Sequence, residues 1–144
     1  MELINVGAPC AAASVSGSGI SGTVQFYPFR GIVLVVADIR GLPRTEANIF
    51  AVHIHEGASC GGEDFSASGA HYNPQDVRHP RHAGDLPPLF SNSGSAFTAV
   101  MTDRFSINEI IGRTVIIHDM PDDFRTQPAG NSGGKIACGV IRRV

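Results

Sequence analysis

An all-β fold of about eight short antiparallel strands, packed as a sandwich or barrel, is what this sequence predicts, and three observations carry the prediction. Glycine (17) and proline (9) interrupt the 144 residues often enough to favour many short elements joined by turns. Apolar and polar residues alternate with period two over several short runs. Helical periodicity is nearly absent. The one helical signal, Ser106-Ile107-Asn108-Glu109, has the spacing of a capping box and predicts a single turn.

In order, residues 1–9 read as a loose lead-in to one domain spanning 1–144. Residues 10–16 make a strand of small residues, ended by Gly17-Ser18-Gly19. Ile20, Gly22, Val24 and Phe26 alternate with Ser21, Thr23, Gln25 and Tyr27, and Pro28 is expected to stop that strand. A hairpin through Phe29-Arg30-Gly31 leads to the apolar strand 32–39, which Gly41-Leu42-Pro43 ends. Phe50, Val52 and Ile54 then alternate with Ala51, His53 and His55, so a pleated strand puts the apolar set on one face and both imidazoles on the other. Residues 56–85 have almost no aliphatic content and no period, so a loop this long needs an organiser other than a core. Residues 86–92 and 96–103 read as a strand pair across Ser93-Gly94-Ser95. A strand at 113–118 ends in a histidine, a second irregular loop covers 119–134, and 135–141 is the final strand.

Charge and hydropathy exclude some partners. Basic (11) and acidic (13) side chains nearly balance and the basic ones are scattered, so nucleic acid is not expected. The apolar run 31–37 is far too short to span a membrane. The first residues lack the basic-then-apolar pattern of a secretory leader. The chain as it stands therefore reads as cytoplasmic, or as periplasmic or extracellular if a leader has been removed.

All six histidines fall in the His-x-His strand, in the loop 56–85 or at the end of the strand 113–118. His53 and His55 project side by side, roughly 7 Å apart by strand rise, and can grip one ion between them. His71, His79, His82 and Asp85 lie close enough along the chain to close around one ion with an N3O set suited to zinc. A structural zinc would order the polar loop, since its binding energy acts as folding energy. His53, His55 and His118 with one shared imidazole make an all-nitrogen set suited to copper. Cys10, Cys60 and Cys138 leave one pair and one odd member, with the pairing open.

Several stretches together resemble the copper,zinc superoxide dismutase family in its bacterial form. They are His53-Ile54-His55-Glu56, Gly69-Ala70-His71-Tyr72-Asn73-Pro74, His82-Ala83-Gly84-Asp85-Leu86, the run 111–118 (Ile-Gly-Arg-Thr-Val-Ile-Ile-His) and the run 130–141 from Gly130-Asn131 through Cys138. The resemblance covers the chain from about residue 20 to the end and implies an eight-stranded Greek-key barrel with two long functional loops. It implies copper held by His53, His55, His71 and His118, and zinc held by His71, His79, His82 and Asp85. His71 would bridge the two metals and donate a proton to the substrate. It further implies a carboxylate, Asp122, linking a copper histidine to a zinc histidine, a Cys60–Cys138 disulfide, and Arg113 supporting the disulfide loop. The implied activity is disproportionation of the superoxide anion.

Some positions depart from the family pattern. The step from His79 to His82 is short, Lys135 stands where an anion-guiding arginine is usual, and Ala129 replaces a threonine of the channel wall. Lysine keeps the charge but not the planar fork of donors. Arg142-Arg143-Val144 replaces an apolar tail, so a monomer or a bacterial-type dimer is expected and a eukaryotic-type dimer is not. Two rivals remain. A non-enzymatic relative serving copper delivery or structure would be expected to lack some ligands, whereas the full set is present. A cupin-type metal enzyme needs a glutamate where none stands, because Glu56 is too close to the His-x-His pair and Glu63 too far from it.

Overall fold

The computed structural model describes residues 6–144, so the first five residues of the expected lead-in lie outside the described residues. Its strands are β1 (Ala11–Gly17), β2 (Ile20–Phe29), β3 (Ile32–Arg40), β4 (Ile49–His55), β5 (Asp85–Phe90), β6 (Ala96–Thr102), β7 (Thr114–His118) and β8 (Lys135–Arg143). A 3-10 turn at Glu63–Ser68 and a one-turn helix α1 (Ile107–Ile110) complete the elements. All eight strands join one antiparallel sheet in the order β5-β4-β7-β8-β1-β2-β3-β6, the non-sequential order of a Greek-key barrel. Its two end strands face each other across a groove of about 310 Å3 lined by Leu86 and Pro87 from β5 and by Val100 and Met101 from β6.

Period-two patterning fills the barrel. Ala13, Val15, Val24, Phe26, Val35 and Ile39 point inward from β1, β2 and β3 and meet Phe50, Ile54, Val115, Ile117 and Ile141 from the other half. Burying side chains of this size is worth about 1.5–3 kcal/mol each before the entropy of ordering them is subtracted. One half is buried on both faces. Every residue of β7 and all but the first of β4 are buried, and Ala51, Ile116 and Cys138 are buried without joining the core. Loop segments cover that outer face, with Thr114 donating to the Gly57 carbonyl (3.2 Å) and Ala51 N–H to the Met120 carbonyl (3.0 Å).

Two expectations are corrected. Pro28 does not stop β2, which runs on to Phe29 with Pro28 opposite Val33. Pairing with β1 ends at Phe26, so Pro28 lies past β1, where a missing donor leaves no ladder bond unmade. Residues 86–92 and 96–103 do not form a strand pair. After a single bridge, Asn92 to Ser95, β5 pairs with β4 and β6 with β3, at opposite ends of the sheet. Tertiary hydrogen bonds draw the ends apart, Ser91 N–H to the Asn48 carbonyl before β4 (2.9 Å) and Leu42 N–H to the Gly94 carbonyl after β3 (3.0 Å). Pro87 and Pro88 also suit β5 to a sheet end, since proline brings no ladder donor. The capping box forms as expected, with Glu109 accepting from Ser106 N–H at 2.9 Å.

Loop 56–85 is better ordered than its composition suggests. Tyr72 N–H donates to the Ile54 carbonyl, Gly84 N–H to the Tyr72 carbonyl and Ile54 N–H to the Gly84 carbonyl, all within 3.0 Å. Tyr72 and Ala83 sink into the core, so two residues of the loop act as its anchors.

Candidate metal centre

Six histidines and two carboxylates converge, buried, on the outer face of β4 and β7. His53 and His55 come from alternate positions of β4, His118 from the end of β7, and the remaining three from loop 56–85. A backbone bridge between His55 and His71 brings the loop onto the strand. Two groups of four have donor atoms within 4.8 Å of one another and could hold a metal ion: His53, His55, His71 and His118, and His53, His71, His79 and Asp85. His82, rather than His53, was expected in the second group. Its Nδ1 lies 3.2 Å from His71 Nδ1 and 3.3 Å from an Asp85 oxygen, so it closes the same cluster from the other side.

The rings are oriented by acceptors. Asp122 takes hydrogen bonds from His53 Nε2 and His79 Nε2, each at 2.8 Å, and so links these two rings. His55 Nδ1 donates to the Gly69 carbonyl at 2.8 Å. Each bond places the proton on the nitrogen facing away from the cluster and leaves a lone pair on the other. Within the cluster His53 Nδ1 and His71 Nε2 are buried without a hydrogen-bond partner. That is the donor set of a cation site, because buried polar atoms are otherwise nearly always paired. Gly130 is part of the fit, since its φ is +73° and a Cβ there would lie 1.9 Å from Asp122 Oδ1 and 2.6 Å from His79 Nε2.

Burial lowers His55 to about 2, the Gly69 carbonyl opposing it, and lowers His118 to about 3 with help from His53 and His71. His53 and His82 are lowered by burial as well. Burial acts against the Asp122 charge, yet hydrogen bonds from His53, His79 and the Phe124 N–H hold its carboxyl at about 2. At neutral pH these four imidazoles are uncharged and the carboxylate beside them is ionised, which suits a cation.

The sign of the linkage follows. Folded pKa values below the ordinary 6.5 mean that the unfolded chain takes up protons the folded one refuses as pH drops. Stability is complete above about 6.5 and is lost as pH falls towards about 3. The urea midpoint of the metal-free protein should therefore decline steadily below pH 6.5, and a midpoint unchanged between pH 7 and pH 5 contradicts the buried neutral cluster.

Several side chains besides the candidate ligands hold the loop. Arg113 stacks on the Tyr72 ring (4.1 Å) and donates to the Glu56 carbonyl (3.1 Å), while Tyr72 donates to Glu109 at 2.9 Å. Gln127 clamps the His79 backbone at both N–H and carbonyl, each 2.8 Å, and Arg104 donates to the Pro80 carbonyl at 2.6 Å. No spacing rule points to Gln127 or Arg104, because both act on backbone atoms. The disulfide joins Cys60 to Cys138, 78 positions apart with Cα atoms 5.8 Å apart, and Cys10 is free and exposed. Closing so long a loop stabilises by roughly 4.5 kcal/mol in the chain-entropy model.

Beside the histidines opens a pocket of about 450 Å3 lined by His55, His71, His118, Ala129, Gly133 and Lys135, among others. The Lys135 ammonium reaches Ser68 Oγ (2.7 Å) and the Gly69 carbonyl (2.9 Å).

The chain is similar to several known proteins. The family model described as copper/zinc superoxide dismutase (SODC) matches residues 20–141. Superoxide dismutase [Cu-Zn] 2 of Aquifex aeolicus is 34% identical over 138 residues, covering 85% of this chain and 80% of that one. Superoxide dismutase [Cu-Zn] of Deinococcus radiodurans is 33% identical over 146 residues, covering 87% and 79%. The crystal structure of the clock protein EA4 superposes with a TM-score of 0.83 at 30% identity, over 99% of this chain and 100% of that one.

Proposed function

Because the chain belongs to the copper/zinc superoxide dismutase family, we propose that it converts two superoxide anions and two protons into oxygen and hydrogen peroxide. The observation that carries the proposal is the pair of adjoining buried clusters that share His53 and His71 and contain buried ring nitrogens without hydrogen-bond partners. His53, His55, His71 and His118 would hold copper through nitrogen alone, and His71, His79, His82 and Asp85 would hold zinc. His82 takes the place of His53 in the zinc set because His53, with Nε2 on Asp122, has only Nδ1 left and can serve one ion, the copper. When bound, copper supplies a one-electron redox couple and zinc a fixed positive charge.

The chain's own residues do the rest. His71 has Nδ1 3.0 Å from Asp85 Oδ1 and Nε2 without a partner, so it can serve both clusters and hold a transferable proton at Nε2. Lys135 attracts the anion into the pocket and offers it a donor. Asp122 keeps His53 and His79 in the tautomers that face the ions. The Cys60–Cys138 bridge favours an oxidising compartment as the place of action. Among the described residues no helix is long and apolar enough to cross a membrane.

The test is metal analysis of the purified protein beside a superoxide-disproportionation assay. Copper and zinc at about one each per chain with measurable activity are expected. A fully copper-loaded protein without activity would favour a copper-carrying role instead.

A further inference from the structure

Lys135 lacks the fork by which an arginine fixes its own position, and a free lysine stem would let the ammonium wander. Here it does not wander, because two acceptors from one loop hold it. Ser68 is buried at 0% exposure, an unusual place for a lone hydroxyl beside a charged group. Its hydroxyl donates to the Phe65 carbonyl (2.7 Å), which aims the oxygen lone pairs away from the turn, and that oxygen accepts from Lys135 Nζ at 2.7 Å. The second acceptor, the Gly69 carbonyl, takes Lys135 Nζ at 2.9 Å and His55 Nδ1 at 2.8 Å. One carbonyl is thus common to the pocket's cation and to a histidine of the first cluster.

We propose that Ser68 is the positioning residue of the anion pocket: it holds the Lys135 ammonium beside His55, with one of its three N–H bonds left for the substrate anion. This rests on the reading of Lys135 as the group that receives the anion. An ammonium pinned by two acceptors is a fixed charge with a single free donor. The pocket therefore accepts one small anion at one point, without the paired contact a guanidinium offers. Ser68 does not touch the substrate and acts only through Lys135.

Azide, a small anion that binds at copper, is the probe, titrated against the absorption spectrum of protein loaded with copper and zinc at matched metal content. Ser68→Ala should weaken azide binding by roughly three- to tenfold, the scale of one typical net hydrogen bond, because Ser68 acts only through Lys135. In a Lys135→Ala background the same change should add nothing, and Lys135→Arg should restore affinity to the Ser68→Ala protein. Wild-type affinity in Ser68→Ala, while Lys135→Ala is weakened, overturns the role of Ser68 alone. An equal loss from Ser68→Ala in the presence and absence of Lys135 shows that it acts through loop structure and overturns the proposal. Unchanged affinity in Lys135→Ala overturns the reading of Lys135 and the proposal with it.

Discussion

Replacing His71 with alanine should abolish superoxide disproportionation and leave the protein short of both metals. His71 is the one loop histidine placed between the two clusters, its ring 3.9 Å from that of His53 and 4.9 Å from that of His55, with Nδ1 3.2 Å from His82 Nδ1. Its loss removes one donor from each set of four. Losing a mere supporting partner costs a metal site about 10–100-fold in affinity or activity, so losing a shared ligand should cost more. The fold itself should survive, because His71 lies outside the hydrophobic core. Copper and zinc are to be measured by elemental analysis beside the activity of the variant. Full activity with ordinary content of both metals would sink the bridging assignment.

Reversing the charge at position 135 should be nearly as damaging. A superoxide anion entering the pocket meets Lys135 beside His55 and His118, and burial, which lowers the Lys135 pKa, also shields its field from water. Charged clefts, those of superoxide dismutases among them, raise association rates by about 10–10³. Lys135→Glu should therefore lower the rate by about that factor, whereas Lys135→Arg, which adds a second donor, should raise it modestly. The wild-type rate should fall with added salt, since screening shortens to about 8 Å at physiological ionic strength. The rates of the three proteins at matched copper content, over a range of salt, decide the matter. A Lys135→Glu protein as fast as wild type means the anion is guided from elsewhere.

Much of this was legible in the sequence because the chemistry required it in local patterns. His53 and His55 can share a face only on a strand, and the strand's apolar partners Phe50, Val52 and Ile54 are all core residues. Where sequence reasoning failed, the competing influence was tertiary. The strands around Ser93-Gly94-Ser95 look like a hairpin locally, but β4 and β3 hold their better partners. Pro28 reads as a strand end until the shortness of β1 shows that its missing donor faces no neighbour. Ser68 carries no signal at all. It sits in a run of small residues, and only the folded loop brings it to a lysine 67 positions away.

The unpaired ends of the sheet have a bearing on how the protein keeps to itself. A sheet edge offers a row of backbone donors and acceptors on which another chain can template a strand. Here the edges of β5 and β6 are turned towards each other across the narrow groove, and Pro87 and Pro88 deny one of them ladder donors. The guard on that seam starts at Asp85, the first residue of β5 and a member of the metal cluster. Asp85 is held there by His71 and His79, each at 3.0 Å, and by His82 at 3.3 Å, so the histidine cluster fixes the start of the strand that shields β6. The residues gathered for chemistry on one side of the barrel thus also keep its seam closed to a neighbouring chain.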